Sequence, residues 1–298
     1  MGRIIDVHTH IGRWQGIKFE VEQLDTLMLS PLSNGDTVDK MIVSSLSCIA
    51  QEEHHDELIG NKKMLEAVES KPNLLPLAVC QPRTGSVDKI RQLFNENPGK
   101  FVGLKFHPDV HELIASDVKH EPYLKFAQEE GLPCLFHCGI GWDNGRLVEK
   151  SRRYSSADAI YQTAKKSPYT PVILAHLGSG GPVVHRKTIS VLLESLKKSD
   201  AKLYADISWV DWETKEKPTI VGLIKDLKER HALDRLLFGT DAPIGEFETL
   251  KNEWKVLYSN LVTDIKNAIK NDRDLAFDAD NTIYRIFFRN AEELFLGC

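Results

Sequence analysis

Ile4-Ile5-Asp6-Val7-His8-Thr9-His10 opens the chain with an apolar, β-branched run that ends in a His-x-His pair. A strand turns successive side chains to opposite faces, so Asp6, His8 and His10 are expected on one side and Ile5, Val7 and Thr9 on the other. Two imidazoles then leave the carboxyl end of a strand together. Alone, such a pair fits a metal site and a pair of structurally bonded histidines about equally well. The rest of the chain decides between them.

Working outward from residues 3–8, seven further apolar runs bounded by turn signals follow at fairly regular spacing: 40–46, 74–80, 101–106, 133–138, 171–176, 202–207 and 235–240. Amphipathic, charge-rich stretches of helical length lie between them, at 61–70, 86–95, 121–130, 155–166, 188–198 and 219–230. Strand alternating with helix eight times over predicts an α/β fold of the (β/α)8, or TIM, barrel type. No solenoid repeat or low-complexity linker interrupts the pattern, so residues 1–298 read as a single domain. The long stretch 11–37, with Gly12, Arg13, Trp14, Gly16, Pro31 and Gly35, reads as a lid or substrate loop. Residues 245–298 read as extra C-terminal helices, the last over 282–296.

Composition narrows the function classes. Of 298 residues 42% are hydrophobic and 27% charged, with a net charge of −5, so no basic surface suggests nucleic acid or an anionic membrane as partner. No apolar run approaches the roughly 18 residues of a membrane span. The first strand begins almost at Met1, which leaves no room for a secretion signal and makes a cytoplasmic enzyme with a small-molecule substrate the expectation. A homo-oligomer is left open. The five cysteines, Cys48, Cys80, Cys134, Cys138 and Cys298, are scattered and read as reduced thiols.

The unusual polar residues cluster at strand ends: His8 and His10 on the first, Lys105 and His107 on the fourth, His137 on the fifth, His176 on the sixth and Asp241 on the eighth. Imidazoles and a carboxylate suit a divalent first-row metal such as Zn2+, which can activate water near neutral pH. Asp241 would then exchange a proton with that water, and His176 would polarise the substrate or shuttle protons. Asp206, at the end of the seventh strand, reads as a supporting residue. Arg13, Trp14, Arg83, Trp142, Trp209 and Trp212 read as rim residues that either shape specificity or pack loops. His54, His55, His111, His120, His185 and His231 lie among charges and are expected to be solvated.

These motifs occur in a fixed order: Asp6-x-His8-x-His10, Gly103-Leu104-Lys105-Phe106-His107-Pro108, Leu135-Phe136-His137-Cys138-Gly139, Leu174-Ala175-His176-Leu177-Gly178, Phe238-Gly239-Thr240-Asp241-Ala242-Pro243 and Asn290-Ala291-Glu292-Glu293-Leu294-Phe295. The set resembles the amidohydrolase superfamily, and more narrowly its branch of metal-dependent TIM-barrel hydrolases and decarboxylases that includes aminocarboxymuconate semialdehyde decarboxylase. The resemblance implies His8, His10, His137 and Asp241 as metal ligands, with Asp241 and His176 as the catalytic acid/base residues. It implies one metal per chain, with unmodified Lys105 and His107 on the substrate. In the binuclear members of the superfamily the strand-four lysine is carboxylated and bridges two metals; that pattern would make His176 a ligand of the second. The expected reaction is hydrolysis of an amide, lactone or ester in a small acidic metabolite. The alternative is non-oxidative decarboxylation of an unsaturated or aromatic acid at the same site. A catalytically silent binding barrel is disfavoured by the intact ligand set. A polymerase-and-histidinol-phosphatase type of barrel also opens with His-x-His, but its extra histidine and glutamate clusters are not evident.

Overall fold

The structure is a computed structural model, and it describes residues 2–14, 17–50, 56–143, 146–148, 153–210, 219–242 and 254–297. Its strands are β1 (Arg3–Trp14), β2 (Ile17–Phe19), β3 (Thr37–Ser45), β4 (Leu74–Val79), β5 (Gly103–Phe106), β6 (Cys134–Phe136), β7 (Gly141–Asp143), β8 (Arg146–Val148), β9 (Pro171–Leu174), β10 (Lys202–Asp206) and β11 (Leu236–Leu237). Nine of them form one curled sheet in the order β11-β10-β9-β6-β5-β4-β3-β1-β2, while β7 and β8 make a separate antiparallel pair. All pairings in the large sheet are parallel except β1 with β2. The chain just beyond β11 comes back to β1: Val7 N donates to Phe238 O at 3.0 Å, Asp241 N to His8 O at 2.7 Å and His10 N to Ala242 O at 2.7 Å.

Each expected strand has a counterpart, and helices alternate with them at Glu57–Val68, Val87–Glu96, Glu121–Glu130, Ala157–Ala164, Pro182–Lys198 and Thr219–Glu229. The helix Glu121–Glu130 shows why the punctuation was readable. A proline sits in its first turn, and Gly131 closes it at φ 69°. Two packing layers flank the sheet. The larger cluster includes Ile4, Met41, Leu104, Phe136, Val172 and Leu203 with helix residues such as Ile90 and Leu124. The smaller takes Ile5, Val7, Ile42, Leu77, Leu135, Ile173 and Leu237 from successive strands, with Phe288 and Ala291 of the C-terminal segment. His137 lies two residues past Leu135 and His176 three past Ile173, so the polar residues follow this apolar layer along their strands. No helix among the described residues is long and apolar enough to cross a membrane.

Two expectations need correction. Residues 11–37 are not a plain loop: β1 runs on to Trp14, pairs with β2, and leads into the helix Val21–Met28, whose Glu20/Gln23 capping box and buried Leu24 and Leu27 explain it. The C-terminal helix expected over 282–296 is present: helical backbone runs unbroken from Ala279 to Phe295, with a π-helical turn at Arg285–Arg289 inside it. Finally, the Asp6 side chain does not join the His8 imidazole. The β1/β3 register slips between Ile4 and Ile5 and again between Asp6 and Thr9, which breaks the alternation. Asp6 accepts from the His8 backbone N–H at 3.1 Å, Thr240 Oγ1 at 2.6 Å and Tyr258 OH at 3.1 Å, and burial raises its carboxyl to about 7.

The exit from β6 depends on a residue without a side chain. Gly139 has φ 106°, and a Cβ there would lie 2.2 Å from Ser179 N, where the β6 and β9 exits cross. Gly139→Ala is expected to lower the melting midpoint by several degrees and to weaken any ligand bound through His137. At about 2–4 °C per kcal/mol for a chain approaching this size, a thermal melt resolves the effect; an unchanged midpoint would contradict this packing.

Candidate metal centre

Midway along β1, two imidazoles converge on one carboxylate oxygen. His10 Nε2 lies 2.9 Å and His8 Nε2 3.1 Å from Asp241 Oδ1. The rear nitrogen of each ring is fixed: His10 Nδ1 by Ser44 Oγ at 2.8 Å, and His8 Nδ1 by Asp206 Oδ2 at 3.1 Å. These partners turn both Nε2 atoms to the same point. Asp241 stands at φ 63°, a costly conformation for a residue with a side chain. Its backbone bond to His8 O and the Trp209 indole, which donates from Nε1 to Oδ2 at 2.6 Å, hold it there.

Lys105 reaches into this group, 1% exposed, with Nζ 2.7 Å from His8 Nε2. Burial brings its ammonium down to about 8. Burial, and then Lys105, keeps His8 neutral well below the usual imidazole range; burial likewise lowers His10. Burial opposes the charge on Asp241, but His8, His176 and His10 beside it hold the carboxyl well below its ordinary range. Neutral nitrogens around an ionised oxygen are the protonation states that metal binding requires.

His176 and His137 form the next pair, with His176 Nε2 3.2 Å from His137 Nδ1. Ser208 Oγ lies 2.8 Å from His176 Nδ1, and the His176 backbone N–H donates to Asp206 Oδ1 at 3.0 Å. Burial takes the His176 imidazole down to about 3. Asp206 therefore supports His8 with one oxygen and His176 with the other. His107 stacks on His137, ring centroids 4.2 Å apart at 10°, and its Nδ1 lies 2.6 Å from Asp109 Oδ1.

The sequence-predicted residues thus fall into neighbouring groups. His8, His10 and Asp241 share one set of donor atoms within 4.8 Å; His8 also groups with His176 and Asp206; His137 groups with His107 and Asp109. These donor sets, imidazole nitrogens beside carboxylate oxygens, fit a divalent metal ion. Asp109, Ser208 and the Asp241 bond of Trp209 were missed. Asp109 was findable, since it follows His107 by two residues at the same strand end.

Three histidines expected in solvent are buried: His111 at 5%, His120 at 1% and His185 at 0% exposure. They pack inward, as His120 does beside Phe106 and Phe136. His231 is exposed as expected. Cys48, Cys80, Cys134 and Cys138 are free and buried. His54, His55, Trp212, Cys298 and the Trp142 side chain lie outside the described residues.

The family model for Amidohydrolase matches residues 5–296. Among solved structures, 2,6-dihydroxybenzoate decarboxylase from Rhizobium superposes with a TM-score of 0.63 at 15% identity, over 99% of this chain and 99% of its own. A probable 2-pyrone-4,6-dicarboxylic acid hydrolase from Acinetobacter baumannii, with citric acid bound, gives 0.62 at 16% identity over 98% of each chain. A 5-carboxyvanillate decarboxylase from Novosphingobium aromaticivorans, complexed with manganese and 4-hydroxy-3-methoxy-5-nitrobenzoic acid, gives 0.58 at 13% identity, over 99% of this chain and 96% of its own. No curated protein matches the chain. At such identities the structural likeness is one of fold alone. Membership rests on the family match, which runs almost from end to end: the chain is an enzyme of the amidohydrolase family.

Proposed function

We propose that this enzyme hydrolyses an amide, lactone or ester bond of a small acidic metabolite, using one Zn2+ per chain held by His8, His10, Asp241 and, through Nδ1, His137. The observation that carries the reading is the convergence of His8 Nε2 and His10 Nε2 on Asp241 Oδ1, each ring braced from behind. When bound, such an ion supplies Lewis acidity that polarises a carbonyl and activates water. The chain's own residues do the rest. Neutral His176, fixed at Nδ1 by Ser208, moves a proton at Nε2. Ionised Asp241 accepts a proton and returns it to the leaving group. The Lys105 ammonium meets the substrate's carboxylate or carbonyl and stabilises negative charge that develops there. His107 lines the same rim. The closed (β/α)8 barrel is part of this reading, supported by the bonds from Val7 to Phe238 and from His10 to Ala242, as is a cytoplasmic enzyme.

Decarboxylation is the second reading, favoured by the presence of decarboxylases of aromatic acids among the structural neighbours. A panel of lactones, esters and aryl carboxylates, offered to zinc-loaded enzyme, separates the two. Acid release from a lactone or ester is expected; release of CO2 from an aryl carboxylate without hydrolysis would select the decarboxylase.

Lys105 is proposed to remain an unmodified lysine. The competing arrangement, a carboxylated lysine between two ions, would use the facing pair His137 Nδ1 and His176 Nε2 as further ligands. About one equivalent of metal and an unextended Lys105 tip are expected. Two metals about 3.5–4 Å apart, joined by density beyond Nζ, would overturn the choice and make His176 a ligand.

A further inference from the structure

Behind His137 stands a carboxylate that this mechanism does not use. Asp109 is set between two imidazoles, with Oδ1 2.6 Å from His107 Nδ1 and Oδ2 3.7 Å from His137 Nε2. Neither contact is aligned as a hydrogen bond: His107 Nδ1, Asp109 Oδ1 and His137 Nε2 are buried polar atoms without hydrogen-bond partners. An ionised carboxylate can only accept hydrogen bonds.

A neutral imidazole carries one N–H, and its position decides which nitrogen has the free lone pair. With an anion behind Nε2, the proton there gains an acceptor, whereas a lone pair there would face negative charge. We propose that Asp109 is a positioning residue for the centre: it takes the Nε2–H of His137 and so leaves Nδ1, on the His176 side, as the nitrogen that ligates the metal. Closing the 3.7 Å contact to the roughly 2.7–3.2 Å of an N–H···O bond needs less than about 1 Å. His107 pins the carboxylate from the other side and, stacked on His137, fixes the plane of the ring. The chain already makes one such pair, His8 Nδ1 against Asp206 at 3.1 Å. Carboxylates behind metal-binding histidines set tautomer and orientation in this way.

The inference rests on His137 being a ligand of the proposed centre, and the experiment separates the two claims. In zinc-loaded wild-type protein labelled with 15N-histidine, His137 is expected to be protonated at Nε2. Asp109→Asn is expected to weaken zinc binding by about 10–100-fold and to shift the visible spectrum of the cobalt-substituted enzyme. Protonation of His137 at Nδ1 would overturn the proposal, as would wild-type zinc affinity and cobalt spectrum in Asp109→Asn. So would a second zinc equivalent that Asp109→Asn alone abolishes, because His107, Asp109 and His137 would then be a cation site of their own. If His137→Ala binds zinc like wild type, the ligand assignment fails and the inference with it; if His137→Ala loses zinc and Asp109→Asn does not, the inference alone fails.

Discussion

The His8→Ala, His10→Ala double variant is expected to fold, to drop from about one bound divalent metal per chain to near none, and to turn over no substrate above background. Both changes delete an Nε2 that meets Asp241 Oδ1, leaving only the carboxylate from the group of three. Asp241 with His137 alone does not replace a four-ligand site. Folding should survive because Asp241 keeps its backbone bond to His8 O, which alanine also supplies, and its bond from the Trp209 indole. Lys105, freed from His8, remains as a nearby countercharge. Elemental analysis of protein purified without chelator, beside a thermal melt, reads both halves of the expectation. Wild-type metal content in the double variant would contradict it.

His176→Ala is expected to retain the fold and most of the metal while kcat falls by about 10² or more, as for removal of an acid/base group. His176 is not in the donor group formed by His8, His10 and Asp241, yet its Nε2 faces His137 Nδ1 at 3.2 Å. Its backbone, at φ 61° and bonded to Asp206, holds the ring there. Alanine would leave that backbone bond in place and remove only the ring. Loss of all metal would make His176 an obligatory ligand, and unchanged turnover would leave it a structural role.

Strand positions were readable because each strand is a short apolar run between turn residues. The rim was readable because its polar residues interrupt those runs at matching ends. The failures share a cause in contacts distant along the chain. Strict alternation placed Asp6 with His8, but Asp6 is drawn to Thr240 and Tyr258, more than two hundred residues away, and β1 slips register to allow it. The stretch after β1 looked like a loop because its glycines and Pro31 outweighed the spacing of Leu24 and Leu27, which bury one face of a short helix. His111, His120 and His185 sit among charges along the chain but face inward in space. Asp109 was visible two residues past His107; its significance came only from the stacked ring of His137, on a neighbouring strand.

Anomalous diffraction from crystals of the zinc-loaded wild-type protein tests the central claim most directly. The account predicts one strong peak, about 2.0–2.2 Å from His8 Nε2, His10 Nε2 and Asp241 Oδ1. No peak there at saturating zinc, or a peak whose ligands are other residues, would contradict it.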